Sequence, residues 1–166
     1  NTNGLNPGVY NLNVTVTSSH GCSKDAASTI TIFNSTSIEI AHIDSVCKGD
    51  NIGDVVITTT YANKYTYLVK NANGDDVATG TGSTTNSEGT PVDKSFSIAT
   101  TTWAAGTYTL TVTAENTTTG GKCDATTTFT INPIPVLTFT PHAAICENAE
   151  TTIDVAHSTT HIKTLE

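Results

Sequence analysis

The sequence predicts an all-β protein made of antiparallel β-sandwiches in tandem. Three features carry this prediction. Apolar residues alternate with polar ones at period two through most of the chain. Turn signals interrupt that alternation every 8–12 positions or so, the spacing of a sandwich of short strands. Residues 106–132, GTYTLTVTAENTTTGGKCDATTTFTIN, restate residues 8–34, GVYNLNVTVTSSHGCSKDAASTITIFN. Gly-X-Tyr opens both stretches, Leu12, Val14 and Val16 answer Leu110, Val112 and Ala114, and Ile30 and Ile32 answer Phe129 and Ile131. A hairpin written twice in this way marks a tandem array.

In chain order, 1–7 reads as a loop. Residues 9–17 form an alternating strand with Tyr10, Leu12, Val14 and Val16 on one face, 18–23 a turn, and 27–33 the returning strand. Two strands cannot bury a face on their own, so 1–33 is expected to be the C-terminal strands of a truncated repeat. A complete repeat is expected over 34–133. Its strands are placed at 37–43, 54–60, 65–70 (Tyr65, Tyr67 and Val69 on one face), around Val77, at 95–99 and in the 106–132 hairpin. Residues 47–51 form a turn, Asn73-Gly74 signals a hairpin, and 80–91, GTGSTTNSEGTP, reads as the longest loop. About seven strands in roughly a hundred residues is the pattern of an immunoglobulin-like sandwich. After the linker NPIP (132–135), strand patterns return at 136–139 and 151–156, and Cys146-Glu147-Asn148 echoes Cys47-Lys48-Gly49. Residues 134–166 are thus the expected N-terminal strands of a following repeat. The pairs Tyr10/Tyr108, Ile32/Ile131 and Cys47/Cys146 are all offset by 98–99 residues.

Composition narrows the function classes. Charged residues are 13% against a usual figure of about 25%, and seven Lys+Arg face fifteen Asp+Glu for a net charge of −8. Such a chain cannot build the basic face that phosphate recognition needs, so no nucleic-acid partner is expected. The acidic balance also disfavours an anionic membrane surface, and no apolar run has the length of a membrane-spanning helix. Threonine fills about one position in five, a β-branched polar residue suited to the wet face of a strand. The chain opens on Asn1-Thr2-Asn3-Gly4 without a signal peptide and is read as an internal piece of something longer.

The four cysteines fall into two types. Cys47 and Cys146 follow the first strand of their repeats, and Cys22 and Cys123 sit in the last hairpin of theirs. Within the complete repeat, Cys47 and Cys123 are expected to form a disulfide. The closed loop of about 76 residues would contribute up to about 4 kcal/mol. Cys22 would then pair upstream of residue 1, and Cys146 downstream of residue 166. Zinc motifs place ligands two to four residues apart, and no two cysteines here are that close. His20 lies near Cys22, but Cys123 has no matching histidine, which weakens a catalytic thiol. Disulfides would place the protein in an oxidising compartment, hence exported.

Other chemistry is thin. His157 and His161 have helical ligand spacing but fall in a strand-like segment. Asp50, Asp54, Asp75, Asp76 and Glu88 lie in loops without a D-x-D-x-D pattern and read as solvated turns rather than a Ca²⁺ site. Lys64 or Lys94 could supply an isopeptide cross-link. Trp103 is read as a plug at the end of the sandwich, with a sugar-binding platform as the alternative. Asn13, Asn34 and Asn116 head glycosylation sequons that a threonine-rich chain produces easily by chance. No catalytic motif, cofactor fingerprint or metal set is found, and no enzyme is expected.

The run G-X-Y-X-L-X-V-T followed by G-(K)-C, at 8–33 and 106–131 and extending to the Cys47 and Cys146 turns, resembles the immunoglobulin-like and PKD-like repeats of very large bacterial surface proteins. It looks most like the repeat adhesins of the Bacteroidetes type, exported by the type IX route and including gliding-motility adhesins. The PKD signature tripeptide is absent. The resemblance implies a rod or filament on the cell surface and carries no catalytic residues over. Asp44-Ser45-Val46 is similar to the O-glycosylation motif of that lineage, with Ser45 as acceptor. The expectation is therefore an extracellular, structural segment of a surface adhesin whose partners are neighbouring repeats. The alternative is a binding module that recognises a surface glycan or host protein through the 80–91 loop and Trp103.

Overall fold

The computed structural model of the chain describes residues 4–85, 89–139, 144, 146, 147 and 155–157. All regular elements among the described residues are strands: β1 (Gly8–Thr17), β2 (Ser23–Ile32), β3 (Ser37–Ile40), β4 (Val46–Cys47), β5 (Val55–Thr60), β6 (Lys64–Lys70), β7 (Asp76–Ser83), β8 (Val92–Phe96), β9 (Gly106–Glu115), β10 (Lys122–Asn132), β11 (Leu137–Phe139) and β12 (Val155–His157). The chain is all-β, in several sheets.

The body is formed by β3 to β10. One sheet has the order β4-β10-β9-β6-β7 and the other β3-β5-β8. β9 is antiparallel to both β6 and β10, while β4 adds to β10 in parallel through Ile131↔Val46 and Asn132↔Cys47. Period-two patterning decides what each strand buries. Val55, Ile57 and Thr59 of β5 and Ile38 of β3 point inward from one sheet, and Tyr65, Val69, Tyr108, Leu110, Val112, Ala114, Phe129 and Ile131 from the other. They form one apolar cluster. The outward positions of β9 and β10 carry the threonine pairs Thr107↔Thr130, Thr109↔Thr128 and Thr111↔Thr126, with a hydroxyl contact of 3.1 Å in the last.

Two strand assignments need correction. The 80–91 stretch is not all loop, because β7 runs to Ser83. Its glycines are there for close approach. Gly80 and Gly82 stand opposite Tyr67 and Tyr65, and a Cβ at either would lie 2.3–2.5 Å from the facing tyrosine's ring carbons. Both rings stack on Phe96 of β8, Tyr67 at 4.8 Å and Tyr65 at 5.2 Å, and so tie the two sheets together. The strand expected at 95–99 is β8, three residues earlier in the chain at Val92–Phe96. Past Phe96 the chain leaves the ladder, yet it still buries Ile98 and Thr100 at the end of the core, and that made SFSIA look like a strand.

The hairpin β1/β2 has the same register as β9/β10. Gly8↔Ile32 matches Gly106↔Ile131, Tyr10↔Ile30 matches Tyr108↔Phe129, and Thr17↔Ser23 matches Glu115↔Lys122. Gly8 and Gly106 share a φ of 156°. Each tyrosine hydroxyl donates to the carbonyl four residues upstream, Asn6 or Ala104, at 2.8 Å. Likewise β11 pairs with β12 as β3 does with β5: Leu137↔His157 and Phe139↔Val155 match Ile38↔Thr59 and Ile40↔Ile57. The difference lies in cover. Leu110 and Val112 are fully buried (0%), whereas Leu12 and Val14 are each 47% exposed.

Candidate functional site

The chemistry-bearing residues gather at the two ends of the body. β10 connects these ends, running from the end where the chain enters to the end where it exits.

At the entry end Tyr61 adopts a left-handed φ of 53°, a costly conformation for a non-glycine residue. Its carbonyl is held by two donors, the Thr36 hydroxyl (3.2 Å) and the Asn116 side-chain amide (3.0 Å). The Asn116 side-chain oxygen accepts from the backbone N–H of Thr118 and Thr119. Asn63 clamps Thr117 through both its amide atoms. Asn116 is buried and its amide nitrogen is engaged, so this sequon holds the β9/β10 turn rather than presenting an acceptor. Glu115 pairs with Lys122 (3.2 Å) and Lys64 (3.9 Å) at the surface.

At the exit end Trp103 is half-buried, 4.8 Å from the Tyr108 ring and 6.3 Å from that of Phe129. It packs onto the core as the expected plug. Thr100, fully buried, organises the neighbouring loop. Its hydroxyl receives the Ile52 N–H (3.0 Å) and donates to the Asp50 carbonyl (3.1 Å), while its own N–H reaches the Asn51 side chain (2.8 Å). Neither Thr100 nor Asn116 has a sequence signal that separates it from the many other threonines and asparagines. The Tyr108 bond does have one, the recurring Gly-X-Tyr.

The register corrects the expected disulfide. Cys47 stands beside Asn132 at the last rung of β10, and Cys123 stands opposite Ala114 near the first. Nine residue steps of extended strand hold them about 30 Å apart, far beyond the roughly 7 Å Cα separation a disulfide tolerates. All four cysteines are free thiols; Cys22, Cys47 and Cys146 are exposed and Cys123 half-buried. Cys22 is also not the exact counterpart of Cys123. It falls at the register position of Gly121, two residues nearer the turn.

Ser45 is exposed just before β4. Asp75 accepts from the Asn71 side chain (3.0 Å) and Asp76 pairs with Lys70, as turn residues do. Glu88 and His161 lie outside the described residues, and His157 is in β12. Among the described residues no three His, Cys, Asp or Glu side chains gather around a common point. Lys94 is exposed on β8 and Lys64 serves Glu115 at the surface, so neither has the buried setting an isopeptide bond needs. No helix among the described residues is long and apolar enough to cross a membrane. A concavity of about 460 Å³ lies on the uncovered hairpin face beside Val14, Val16 and Cys22. A smaller one of about 260 Å³ lies beside Ala104 and Tyr108. No protein-family model matches the chain, and no curated protein matches it.

Proposed function

We propose that this chain is a structural segment of a large extracellular bacterial surface adhesin or filament, built from immunoglobulin-like sandwiches in tandem. The observation that carries the proposal is the doubled hairpin. β1/β2 and β9/β10 agree in register, in the φ of the opening glycine and in the tyrosine hydrogen bond four residues back. The β11/β12 pairing adds the start of a third unit in the β3/β5 register. The sheet orders β4-β10-β9-β6-β7 and β3-β5-β8 support an immunoglobulin-like assignment, as does a tyrosine near the start of β9 bonded to an upstream carbonyl. Repetition with short linkers gives reach, and each unit adds its own stability and its interfaces with its neighbours. Neighbouring repeats are therefore the first partners. Export no longer rests on a bridge within the repeat; it rests on the resemblance to type IX-exported adhesins, as does glycosylation at Ser45.

Two observations weigh against the binding-module alternative. Trp103 packs against the rings of Tyr108 and Phe129, and the first part of the 80–91 segment belongs to a strand. The test is labelling of intact producing cells with an antibody raised against the folded chain. Surface label along filaments or stalks is the expected result. Label seen only after the cells are permeabilised overturns the reading.

A further inference from the structure

We propose that the cysteines bond across the junction between consecutive repeats, the Cys47 type of one repeat with the Cys123 type of the next. The proposal deepens the tandem-repeat reading and rests on it.

The placement of the thiols leads to it. Cys47 pairs with Asn132, and the Lys48 N–H donates to the Asn132 carbonyl at 2.8 Å. That thiol is exposed beside the last residue of the body. Only residues 133–136 separate Asn132 from β11, the first strand of the next unit. Cys123 is at the opposite end, where the chain enters. A Cβ on Gly121, two residues away, would meet the entry residue Thr36 at 3.0 Å. Cys22 occupies that Gly121 position in its own hairpin, so both hairpin cysteines sit at the entry end. Each junction in such an array therefore places a Cys47-type cysteine on one side and a hairpin cysteine on the other; Cys123 is half-buried against the core, so bonding requires its side chain to rotate outward.

Distance then separates the two pairings. Within a repeat the gap is one rigid strand of about 30 Å, which cannot shorten. Across the junction it is set by a linker of four residues, which spans at most about 17 Å, together with the offset of each cysteine from the linker's ends (one strand spacing for Cys47, two residues beyond Gly121 for Cys123), and it is free to shorten toward the 4.4–6.8 Å or so that a disulfide needs. The oxidant is a small or protein disulfide. The thiolate of one cysteine attacks it and releases one of its sulfurs as a thiolate. The second cysteine's thiolate then attacks the mixed disulfide and releases the other sulfur. Two chain thiols become one S–S bond, the oxidant is reduced to two thiols, and the two chain protons pass to them. The bond would fix the angle between repeats and carry load past the linker.

The test uses the full chain with residues 35–133 inserted a second time after Pro133, which creates one complete junction. Cys22→Ser and Cys146→Ser are made throughout. One variant keeps only Cys47 of the first copy and Cys123 of the second. The other keeps only Cys123 of the first copy and Cys47 of the second. Both are folded in a glutathione redox mixture, then free thiols are counted and peptides mapped without reduction. The first variant is expected to lose both thiols to one bridge, and the second to keep both. A bridge in the second variant, or between Cys47 and Cys123 of the unextended chain, overturns the proposal. The near-UV signal of Trp103 distinguishes the two levels. If it fails to double on insertion, the repeat reading fails. If it doubles while the first variant stays reduced, the junction bond alone fails.

Discussion

Thr59 and Thr100 are both buried threonines of the same body, and the same substitution should move stability in opposite directions. Thr100 satisfies the Ile52 N–H and the Asp50 carbonyl with one hydroxyl. Thr100→Val leaves the buried Ile52 N–H without its partner and removes the bond to the Asp50 carbonyl, and should cost about 1–3 kcal/mol. The Thr59 hydroxyl is buried among apolar neighbours and has no hydrogen-bond partner among the described residues. Thr59→Val replaces it with a methyl group of similar shape and should stabilise by about 1 kcal/mol. Urea denaturation of the two variants beside the parent reads both signs in one series. Equal signs would refute this account of the two hydroxyls. Gly80 and Gly82 give a second residue-level ranking. Each faces a tyrosine ring, but Tyr65, opposite Gly82, is buried whereas Tyr67, opposite Gly80, is half-exposed and can swing aside. Gly82→Ala should therefore lower the midpoint more than Gly80→Ala, by an overpacking cost of about 1–3 kcal/mol.

Hairpins β1/β2 and β9/β10 show what an element inherits from its sequence and what it takes from its surroundings. Leu110→Ala opens a cavity in a closed core and should cost about 2–5 kcal/mol. Leu12→Ala, at the matching position of the uncovered hairpin, should change stability by no more than about 0.5 kcal/mol. Equal losses, measured by denaturant midpoint, would mean that the first hairpin is covered in solution. The alternation that makes both hairpins is written in the sequence, and so is the tyrosine bond, through Gly-X-Tyr. What lies opposite the apolar face is not, because a period-two pattern gives a strand's inner face without naming its cover. β7 was obscured for a related reason. Gly80 and Gly82 carry a local turn signal, and only the tyrosines across the ladder show that the signal is for close approach. The expected Cys47–Cys123 pairing fails because sequence spacing does not give strand direction. Cys47 and Cys123 belong to one sandwich body, yet β10 separates them by its length.

For the molecule as a whole, pH should act mainly from the alkaline side. The ion pairs of the described residues lie at the surface, where each contributes about 1 kcal/mol or less. Tyr65 differs. It is buried against Phe96 between the two sheets, and burial, with the Tyr67 phenol as a smaller contribution, pushes its phenol above the ordinary tyrosine value. The sign follows from which state holds the proton. Below about pH 10 the phenol is neutral in both states and adds no pH dependence. Above it the unfolded chain releases the proton while the folded one keeps it, so stability falls as pH rises through the folded value. The urea midpoint of the parent should decline above about pH 10, and Tyr65→Phe, which keeps the ring stacked on Phe96 and removes the ionisable group, should decline less. Since the Tyr65 ring bridges both sheets, its ionisation would open the body as a unit, and fluorescence of Trp103 at the far end should report the same midpoint as the far-ultraviolet strand signal. Identical declines in the two proteins would show that the Tyr65 phenol does not govern the alkaline limb.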